Sequence, residues 1–523
     1  MKIYKLIIKN KYFPKYSKWI FIFSVIIISL IYNYQEIIFK PPQSLHQWRQ
    51  SDCLSITFNY YQEDNPLFEP SIHNLGMDGT GKTVSDFPLI YYSISKLWKI
   101  FGQHEYIYRL IILIFFFSGL FALFKIFENK LKDSILAIIS SLFLFTSPTL
   151  VYYANNFLMD IPAFSLALIG LFFFFKFTQS SSNIHLFFFA LFYTIAGLLK
   201  ISSLISFMAI FSIFILEILN IKINAAGKIF KYPKKQFIIF ISILLITGIW
   251  YIYANYYNAT YNAGFFLIGV LPIWDLNTTE IKATLNAVNE HIKWDYLRRE
   301  TQIIFFLMFL SVIIFFRRMN KMMLILTFLV FLGVLSFVIL FFQALKDHDY
   351  YVINLFILIP IVFLSFLNLL KSKLDRIYFS LILKVVLIAF LIHNIDFARR
   401  RIEDRYSINS WQNKDYIENI KAYENINSYL HTIGINKDDR VICLSDNSIN
   451  ITLYTMNRKG WTNYNISRGS NGIEDKINQG AKYLFINKNK KYKELNIQSY
   501  INKKIGEFNK IEIYSLNKLS DKN

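Results

Sequence analysis

The residues most able to do chemistry lie in a polar loop, residues 39–105, that follows the first apolar segment. One stretch of this loop carries four of them: His46, Trp48, Arg49 and Asp52. A further carboxylate, Asp86, comes later in the loop. A carboxylate can take a proton from a hydroxyl group, and an arginine or a histidine can bind an anionic group such as a phosphate. These residue types predict acid–base chemistry on an anionic substrate at the edge of a bilayer.

The composition of the chain indicates a polytopic membrane protein. It has 523 residues, 53 of them Phe, with a formal net charge of +21 and a mean hydropathy of +0.36. Several apolar runs are long enough to cross about 30 Å of hydrocarbon. The basic residues fall between these runs, so the charge does not indicate a nucleic-acid partner. The two cysteines, Cys53 and Cys443, have no metal-type spacing.

The hydropathy pattern predicts about eleven transmembrane helices. They are expected at residues 19–38, 107–127, 134–151, 157–177, 184–200, 201–219, 236–255, 301–316, 322–342, 352–370 and 377–397. The first segment lacks a small-residue cleavage site and is expected to be a retained anchor. Lys and Arg cluster in the N-terminal tail and in alternate loops, which places the N-terminus in the cytosol and the C-terminal segment outside. Loops 39–105, 256–300 and 343–351 then face outward.

The outer loop 39–105 is predicted to carry two helices that lie on the membrane surface. We expect them at residues 49–61 and 89–101. The second has an apolar stripe of five residues: Ile90, Tyr91, Ile94, Leu97 and Trp98. Asp52 shares one helical face with Trp48 and Arg49, which favours a role in chemistry. The alternative is a packed outer loop without chemistry.

The polar C-terminal segment, residues 401–523, is predicted to form a small extracytoplasmic α/β domain. We expect helices at 413–432 and 472–479 and strands at 440–445, 482–487 and 511–516. Strands that alternate with helices favour a mainly parallel sheet. The segment has no glycine-rich nucleotide motif, so we assign it no cofactor. Residues 1–400 then form the membrane domain.

A second set of polar residues falls at the outer ends of the predicted spans. They are Arg109, Asp160, Lys200, His348, Asp349, Tyr350 and Tyr351. A transporter places such groups at the bilayer midplane more often, so their position favours a reaction at the membrane–water boundary. Simpler alternatives remain: an interfacial anchor for Arg109, a snorkelling Lys200, a helix cap for Asp160, an ordinary loop residue for His348, and an aromatic belt for the two tyrosines.

Five segments together resemble the GT-C glycosyltransferases, and more narrowly glycosyltransferase family 39, which holds the protein O-mannosyltransferases and the aminoarabinose transferases. The segments are HQWRQSD (46–52), DFPL (86–89), YRL (108–110), FLMD (157–160) and HDYY (348–351). The resemblance covers about residues 1–400. It implies transfer of a sugar from a polyprenyl-phosphate donor to a lipid, glycan or protein acceptor at the outer face, with inversion at the anomeric carbon.

The resemblance also implies roles for individual residues. Asp52 matches the acidic active-site residue of the first outer loop, and Asp86 matches an acidic position before a proline motif. Phe87 stands where the aminoarabinose enzymes have a lysine, and the Asp-Glu pair of the mannosyltransferases is absent, so the donor sugar and the acceptor stay open. A divalent cation that bridges carboxylates and phosphate is a possible cofactor, although no ligand spacing requires one.

The resulting hypothesis makes Asp52 the general base. Asp86 and Asp160 would orient acceptor and sugar, and four cationic side chains would bind the lipid phosphate: Arg49, Arg109, Lys200 and His348. We expect these residues to meet in one outer pocket of a multi-pass protein in a bacterial inner membrane. The alternatives are a flippase or transporter for lipid-linked sugars, an O-antigen ligase or polymerase, and a scaffold.

Overall fold

The computed structural model describes residues 13–224, 227–266, 268–444, 446–466, 472–489 and 497–516. The chain divides into two compact units of three segments each. The helical unit consists of Met1–Phe39, Arg109–Trp250 and Gly269–Glu403, and the mixed unit consists of Lys40–Tyr108, Tyr251–Ile268 and Asp404–Asn523. The division predicted at residue 400 keeps loop 39–105 with the membrane helices. In the structure, nearly all of this loop groups with the C-terminal segment.

Apolar helices make up the helical unit. The α-helices that have most of their residues in it are Phe13–Ile31, Tyr34–Ile37, Glu105–Leu131, Ser134–Leu142, Pro148–Ala154, Asp160–Ser180, Asn183–Leu199, Ile205–Ile218, Pro233–Thr260, Thr278–Ala287, Lys293–Tyr296, Arg299–Ile314, Lys321–Leu340, Leu358–Lys373, Asp375–Tyr378 and Leu381–Tyr406. Shorter 3-10 turns include Phe143–Thr146, Ile201–Leu204, Phe316–Arg318, Phe342–Lys346 and Asp349–Ile357. Helices satisfy all of their own backbone hydrogen bonds, as a bilayer requires.

Seven helices of the described residues are long and apolar enough to cross a membrane, or eight if one bent pair is a single span. The predicted spans at 107–127, 157–177, 201–219, 236–255, 322–342, 352–370 and 377–397 overlap these seven. Of the other four predicted spans, 134–151 falls on the bent pair. The last three fall on helices of 19, 17 and 16 residues: Phe13–Ile31, Asn183–Leu199 and Arg299–Ile314. The number of eleven crossings and their orientation therefore stay predictions.

The bent pair replaces the straight span predicted at 134–151. Segments Ser134–Thr146 and Pro148–Ala154 meet at 80°. Proline disfavours a helical conformation at the residue before it, and Ser147 is indeed extended, with φ −76° and ψ 119°. Its side chain accepts a hydrogen bond from the backbone of Leu150, so a new helix begins at Pro148. The proline thus ends one helix and starts another.

Two helices from the outer loop belong to the mixed unit. They are Gln47–Glu63 and Leu89–Phe101, so the predicted bounds 89–101 are met at both ends. Pro88 precedes the second helix, and Gly102, with φ 87°, follows it. Four residues of its apolar stripe are buried and Leu97 is half-buried. The stripe packs inside the unit, where the ring of Trp98 meets that of Tyr61 edge-on at 6.1 Å.

The rest of the mixed unit is built on a five-stranded sheet. Its strands are β1 (Arg440–Leu444), β2 (Gly460–Thr462), β3 (Ala481–Asn487), β4 (Lys504–Phe508) and β5 (Ile511–Ser515), in the order β2-β1-β3-β5-β4. β1 is parallel to β2 and β3, whereas β5 is antiparallel to β3 and β4. The sheet is therefore mixed rather than mainly parallel, because the tight β4–β5 hairpin reverses the chain.

Alternation along the strands buries both faces of this sheet. One face holds Leu444, Trp461 and Leu484, and the other holds Val441 and Phe485. Successive buried residues from Val441 to Leu444 and from Leu484 to Asn487 explain why these parts of β1 and β3 are almost continuously apolar. The predicted strand at 440–445 ends at Leu444, and residue 445 lies outside the described residues.

The helix predicted at 413–432 is broken. Only Ile426–Thr432 is α-helical; before it come short turns at Trp411–Asn413, Tyr416–Ile420 and Lys421–Tyr423. Asn425 takes a left-handed conformation, with φ 60°, directly before the final helix. This conformation cannot continue a right-handed helix, so the helix starts anew after it.

Hydrogen bonds explain why the outer loop groups with the C-terminal segment. The backbone N–H of Leu75 donates to the carbonyl of Gly460, and the N–H of Gly460 donates to the carbonyl of His73. The indole of Trp461 donates to the Gly76 carbonyl over 2.8 Å. A Cβ at Gly460 would lie 1.8 Å from the Val441 carbonyl oxygen, so this close approach requires glycine.

Candidate functional site

The carboxylate of Asp52 lies in the interior of the mixed unit and is held by a residue of the C-terminal segment. Asp52 is 3% exposed and sits in the second turn of helix Gln47–Glu63. Its Oδ1 accepts a hydrogen bond of 2.8 Å from the amide Nδ2 of Asn450. The described residues supply no hydrogen-bond donor for Oδ2. One oxygen is therefore fixed and the other can take a proton.

The orientation of the Asn450 amide follows from its second contact. Its Oδ1 accepts the backbone N–H of Asn74 over 2.9 Å, so Nδ2 must be the atom that faces Asp52. The side chain of Asn74 in turn donates to the carbonyl of Ile449 and to Oδ1 of Asn465, each over 2.7 Å. This network locks the loop that carries Asn450 in place.

A second buried acid fixes the start of the same loop. Asp446 accepts hydrogen bonds from the backbone of Ser448 and from the backbone and hydroxyl of Thr452, at 2.7 to 2.8 Å. The loop follows β1 at its carboxyl end, the edge where α/β sheets usually hold their functional groups. That position is the sequence signal by which Asn450 could have been found.

Arg49 and Asp86 form an ion pair one helical turn from Asp52. The guanidinium of Arg49 donates to the carboxylate of Asp86 and, over 2.6 Å, to the hydroxyl of Ser85. The hydroxyl of Tyr91 donates to Asp86 over 3.0 Å. The guanidinium carbon also lies 5.0 Å from the ring centroid of Phe266. Asp86 is thus engaged in holding Arg49.

The pKa of Asp52 reflects its burial and the polar groups around it. Burial raises it to about 6, while the charge of Arg49 and the hydrogen bond from Asn450 pull it down and the charge of Asp446 pushes it up. Burial also raises the pKa of Asp446 above its usual range. A carboxylate with a pKa near 6 is mostly ionised at neutral pH yet basic enough to accept a proton.

The other predicted residues of this loop are less enclosed. Trp48 is 48% exposed, although it was predicted to share a face with Asp52. His46 is half-buried and directly precedes the helix, in a left-handed conformation with φ 54°. Among the described residues, the side-chain hydrogen bond of Asp52 is with Asn450 and not with either of these residues, and their substrate roles stay predictions.

In the helical unit, Asp160 faces Lys200. Asp160 is the first residue of helix Asp160–Ser180, directly after the N-cap residue Met159. Lys200 lies between helix Asn183–Leu199 and the turn Ile201–Leu204. Its Nζ is 3.8 Å from Oδ1 of Asp160 and 5.9 Å from the ring centroid of Tyr351.

Aromatic rings surround this pair. The imidazole of His348 stacks on the ring of Tyr351 with centroids 5.3 Å apart, and Tyr350 contacts both rings. Asp349 accepts a hydrogen bond of 2.5 Å from the hydroxyl of Tyr153. Tyr153 was not predicted, because it lies in an apolar helix with no polar pattern around it. Within the helical unit, Lys200 therefore clusters with four other predicted residues: Asp160, His348, Tyr350 and Tyr351.

The contacts of Arg109 indicate a structural role. It is fully buried, so it is not an exposed interfacial anchor. Its guanidinium donates to the backbone carbonyl of Asn155 and lies 4.1 Å from the ring centroid of Phe157. These contacts hold the segment that leads into Asp160.

The structure thus places the predicted residues in two groups, one in each unit. Their convergence in one pocket stays a prediction. Within the described residues, no three His, Cys, Asp or Glu side chains gather as a metal site.

Solved structures of a glycosyltransferase are similar to the chain. They are ArnT from Cupriavidus metallidurans in the apo state and bound to undecaprenyl phosphate, with TM-scores of 0.61 and 0.60. Each is 8% identical in sequence and covers 95% of this chain and 98% of its own. No protein-family model and no curated protein sequence matches the chain.

Several helices of the described residues are long and apolar enough to cross a membrane, and the fold is similar to that of ArnT, as expected for a multi-pass membrane protein. The likeness to ArnT confirms the predicted resemblance to GT-C proteins at the level of fold. At 8% identity the likeness is one of fold.

Proposed function

We propose that the chain is an inverting glycosyltransferase that moves a sugar from a polyprenyl-phosphate donor to an acceptor hydroxyl at the outer face of the cytoplasmic membrane. The observation that carries the proposal is the state of Asp52: a buried carboxylate with a pKa of about 6, held on one oxygen and open on the other. The GT-C fold supports it, and the undecaprenyl phosphate bound to ArnT supports a polyprenyl carrier.

In this mechanism Asp52 is the general base. Its Oδ2 takes the proton of the acceptor hydroxyl as the acceptor oxygen attacks the anomeric carbon. The bond from that carbon to the phosphate oxygen breaks, and its electron pair leaves with the lipid phosphate. The carbon is attacked from the face opposite the leaving group, so its configuration inverts. Asn450 holds Asp52 in place and is a positioning residue.

The group around Lys200 is the proposed donor site. Its ammonium would bind the phosphate that leaves, because a cation in a site of low polarity stabilises the charge that develops there. Asp160 holds this ammonium, and the rings of Tyr350 and Tyr351 offer a wall for the sugar or prenyl chain. His348 is a second phosphate ligand in this proposal, and Asp349 is fixed by Tyr153.

Two residues that were predicted to touch substrate receive other roles. Asp86 is proposed to fix Arg49 through their ion pair, so that the arginine can tune Asp52. Arg109 is proposed to position the segment before Asp160 through its contacts with Asn155 and Phe157. The donor sugar and the class of acceptor (lipid, glycan or protein) stay open.

The test is sugar transfer in membranes that contain the full chain. Membranes are incubated with a panel of radiolabelled prenyl-phosphate sugars, and the product is scored for the label that moves and the molecule that receives it. The Asp52→Asn variant, matched with Asp78→Asn at an exposed position of the same unit, should lose transfer while Asp78→Asn keeps it. Full activity of folded Asp52→Asn, or lipid uptake without any glycosidic product, would overturn the proposal.

A further inference from the structure

An open cavity of about 530 Å³ lies in the helical unit, apart from Asp160 and Lys200. Its lining includes three cationic side chains, Lys130, Arg318 and Lys371, and no acidic residue. Lys130 and Lys371 come at the ends of helices Glu105–Leu131 and Leu358–Lys373, and Arg318 ends the turn Phe316–Arg318. The volume falls within the range of about 300–1,000 Å³ that is usual for ligand sites.

The three cationic side chains contact a backbone carbonyl or aromatic rings and no carboxylate of the described residues. Lys371 donates to the carbonyl of Leu131 over 2.5 Å. Lys130 lies 4.7 Å from the ring centroid of Phe175, and the guanidinium of Arg318 lies 5.9 Å from that of Phe315. None of the three makes an ion pair with any described residue. Like charges around one cavity repel each other, so an anion bound among them would lower the free energy.

Neutral polar groups complete the lining, among them Thr178, Asn320, Asn368 and Ser372. The side-chain oxygen of Asn320 already caps the next helix by accepting from the backbone of Met323, so its NH2 group is what it can offer to a ligand. Apolar side chains of Met319, Met322 and Leu369 line the cavity beside these donors. Cations and hydrogen-bond donors fit phosphate oxygens, and the apolar side chains fit the glycerol or acyl part of a lipid.

We propose that this cavity, the basic cavity, binds the phosphate group of an anionic membrane lipid. The loops at these helix ends are the ones that charge bias assigns to the cytosol, and basic cavities between helices on that side recognise phosphate head groups. The site is separate from the proposed sugar transfer and holds whether or not that proposal does. A general excess of positive charge would require neither a cavity nor convergence of the three side chains.

The probes are phosphatidic acid, phosphatidylcholine and inorganic phosphate, measured on the full-length protein in a neutral detergent by native mass spectrometry. We expect phosphatidic acid to bind in preference to phosphatidylcholine. Lys130→Gln combined with Lys371→Gln should weaken its binding by about tenfold or more, since charge-assisted contacts are lost. Lys130 and Lys371 are half-buried, so their substitution could also lower stability. Arg318 is exposed, and Arg318→Gln is therefore a second variant, which we expect to weaken binding without loss of thermal stability.

Arg317→Gln and Lys321→Gln are the matched controls. Both residues are exposed in the same loop and neither lines the cavity, so the double control removes two charges and should leave binding unchanged. If millimolar inorganic phosphate displaces phosphatidic acid, the site recognises the phosphate group alone. If it does not, the site recognises the phosphate as part of a lipid. Equal binding of the two lipids, or equal loss in the control, would overturn the proposal.

Discussion

The amide of Asn450 donates to the carboxylate of Asp52 across 398 positions of sequence, over 2.8 Å. The C-terminal segment therefore supplies a hydrogen-bond donor to the candidate general base of the first outer loop. In the proposed reaction this hydrogen bond has two effects. It fixes the direction of the open oxygen, and it favours the ionised form that can act as a base.

Removal of this hydrogen bond should change the pH dependence of transfer. The bond lowers the pKa of Asp52, so Asn450→Ala should raise that pKa and move the acid limb of kcat/KM from near pH 6 upward by up to about one unit. We expect kcat to fall more than the KM of either substrate. The measurement is the pH profile of transfer for the wild type and the variant.

Two controls separate positioning from folding in this experiment. Asn447→Ala changes an exposed residue of the same loop and should leave the profile unchanged. Asn74→Ala removes contacts to Ile449 and Asn465 but not the donor to Asp52; it should lower stability without moving the profile. If Asn74→Ala and Asn450→Ala shift the profile equally, Asn450 is only a structural residue.

Arg49 and Asp86 should tune Asp52 in opposite directions. The charge of Arg49 lowers the pKa of Asp52, so Arg49→Gln should move the acid limb to higher pH. Asp86→Asn removes the partner that neutralises Arg49 and should move the limb to lower pH, again by up to about one unit. The pH profiles of both variants provide the test. Shifts of the same sign would refute the proposed role of this ion pair.

Asp52 should reduce stability at neutral pH. Its folded pKa of about 6 lies above the ordinary value of 3.8, so the folded state binds the proton more tightly. Stability from this group is complete below pH 3.8 and is lost as the pH rises to about 6, with a total of about 3 kcal/mol. Asp52→Asn should therefore melt at a higher temperature than the wild type at pH 7.5, and this gain should shrink toward pH 5.

Thermal melting in detergent at several pH values checks this expectation, with Asp78→Asn as the control at an exposed position. An increase in melting temperature together with a loss of transfer is the pattern that a strained functional residue gives. A difference between Asp52→Asn and the wild type that is independent of pH would contradict it.

Local patterns predicted many of the helices, though not the breaks at Ser147 and Asn425, and they predicted the contacts between distant segments poorly. Helix 89–101 could be delimited because Pro88 and Gly102 mark its ends, and β3 could be found because nearly every residue in it is apolar. By contrast, β4 carries Lys504, Gly506 and Glu507 and is only partly buried, so its composition resembles that of a loop. An edge strand pairs through its backbone, which leaves little signal in the side chains.

The candidate site shows the same difference between what local patterns predict and what distant contacts determine. Motif order singled out Asp52 and Asp160 as candidates, and its position between two predicted spans singled out Lys200. The partners Asn450 and Tyr153 were missed, because a hydrogen bond between distant segments follows no periodic pattern. Asn450 lies after a strand whose neighbours became known only when the sheet order β2-β1-β3 was seen. Such partners depend on tertiary structure, which hydrophobic periodicity alone does not determine.

A buried ion pair in the helical unit should matter for stability and not for transfer. The ammonium of Lys384 donates to Asp133 over 2.5 Å, and both side chains are buried. Lys384→Met would leave this carboxylate without its cation, at a cost of about 3–5 kcal/mol. Asp133 also caps helix Ser134–Leu142, so the double variant with Asp133→Leu should recover only part of the loss. Melting temperatures of the single and double variants provide the check, and a double variant less stable than either single would contradict it.

Lys200 should determine the affinity for the donor. Its ammonium lies between Asp160 and the ring of Tyr351, where the lipid phosphate is proposed to bind. Lys200→Gln removes a charge-assisted hydrogen bond worth about 1.5–3 kcal/mol, so the KM for the prenyl-phosphate sugar should rise by about tenfold or more. Lys200→Arg keeps the charge and should restore part of the affinity. The control is Lys176→Gln, which removes a half-buried cation that contacts Phe172 in the same unit and should leave the KM unchanged. A Lys200→Gln enzyme with an unaltered donor KM would show that this lysine does no more than reach toward the lipid head groups.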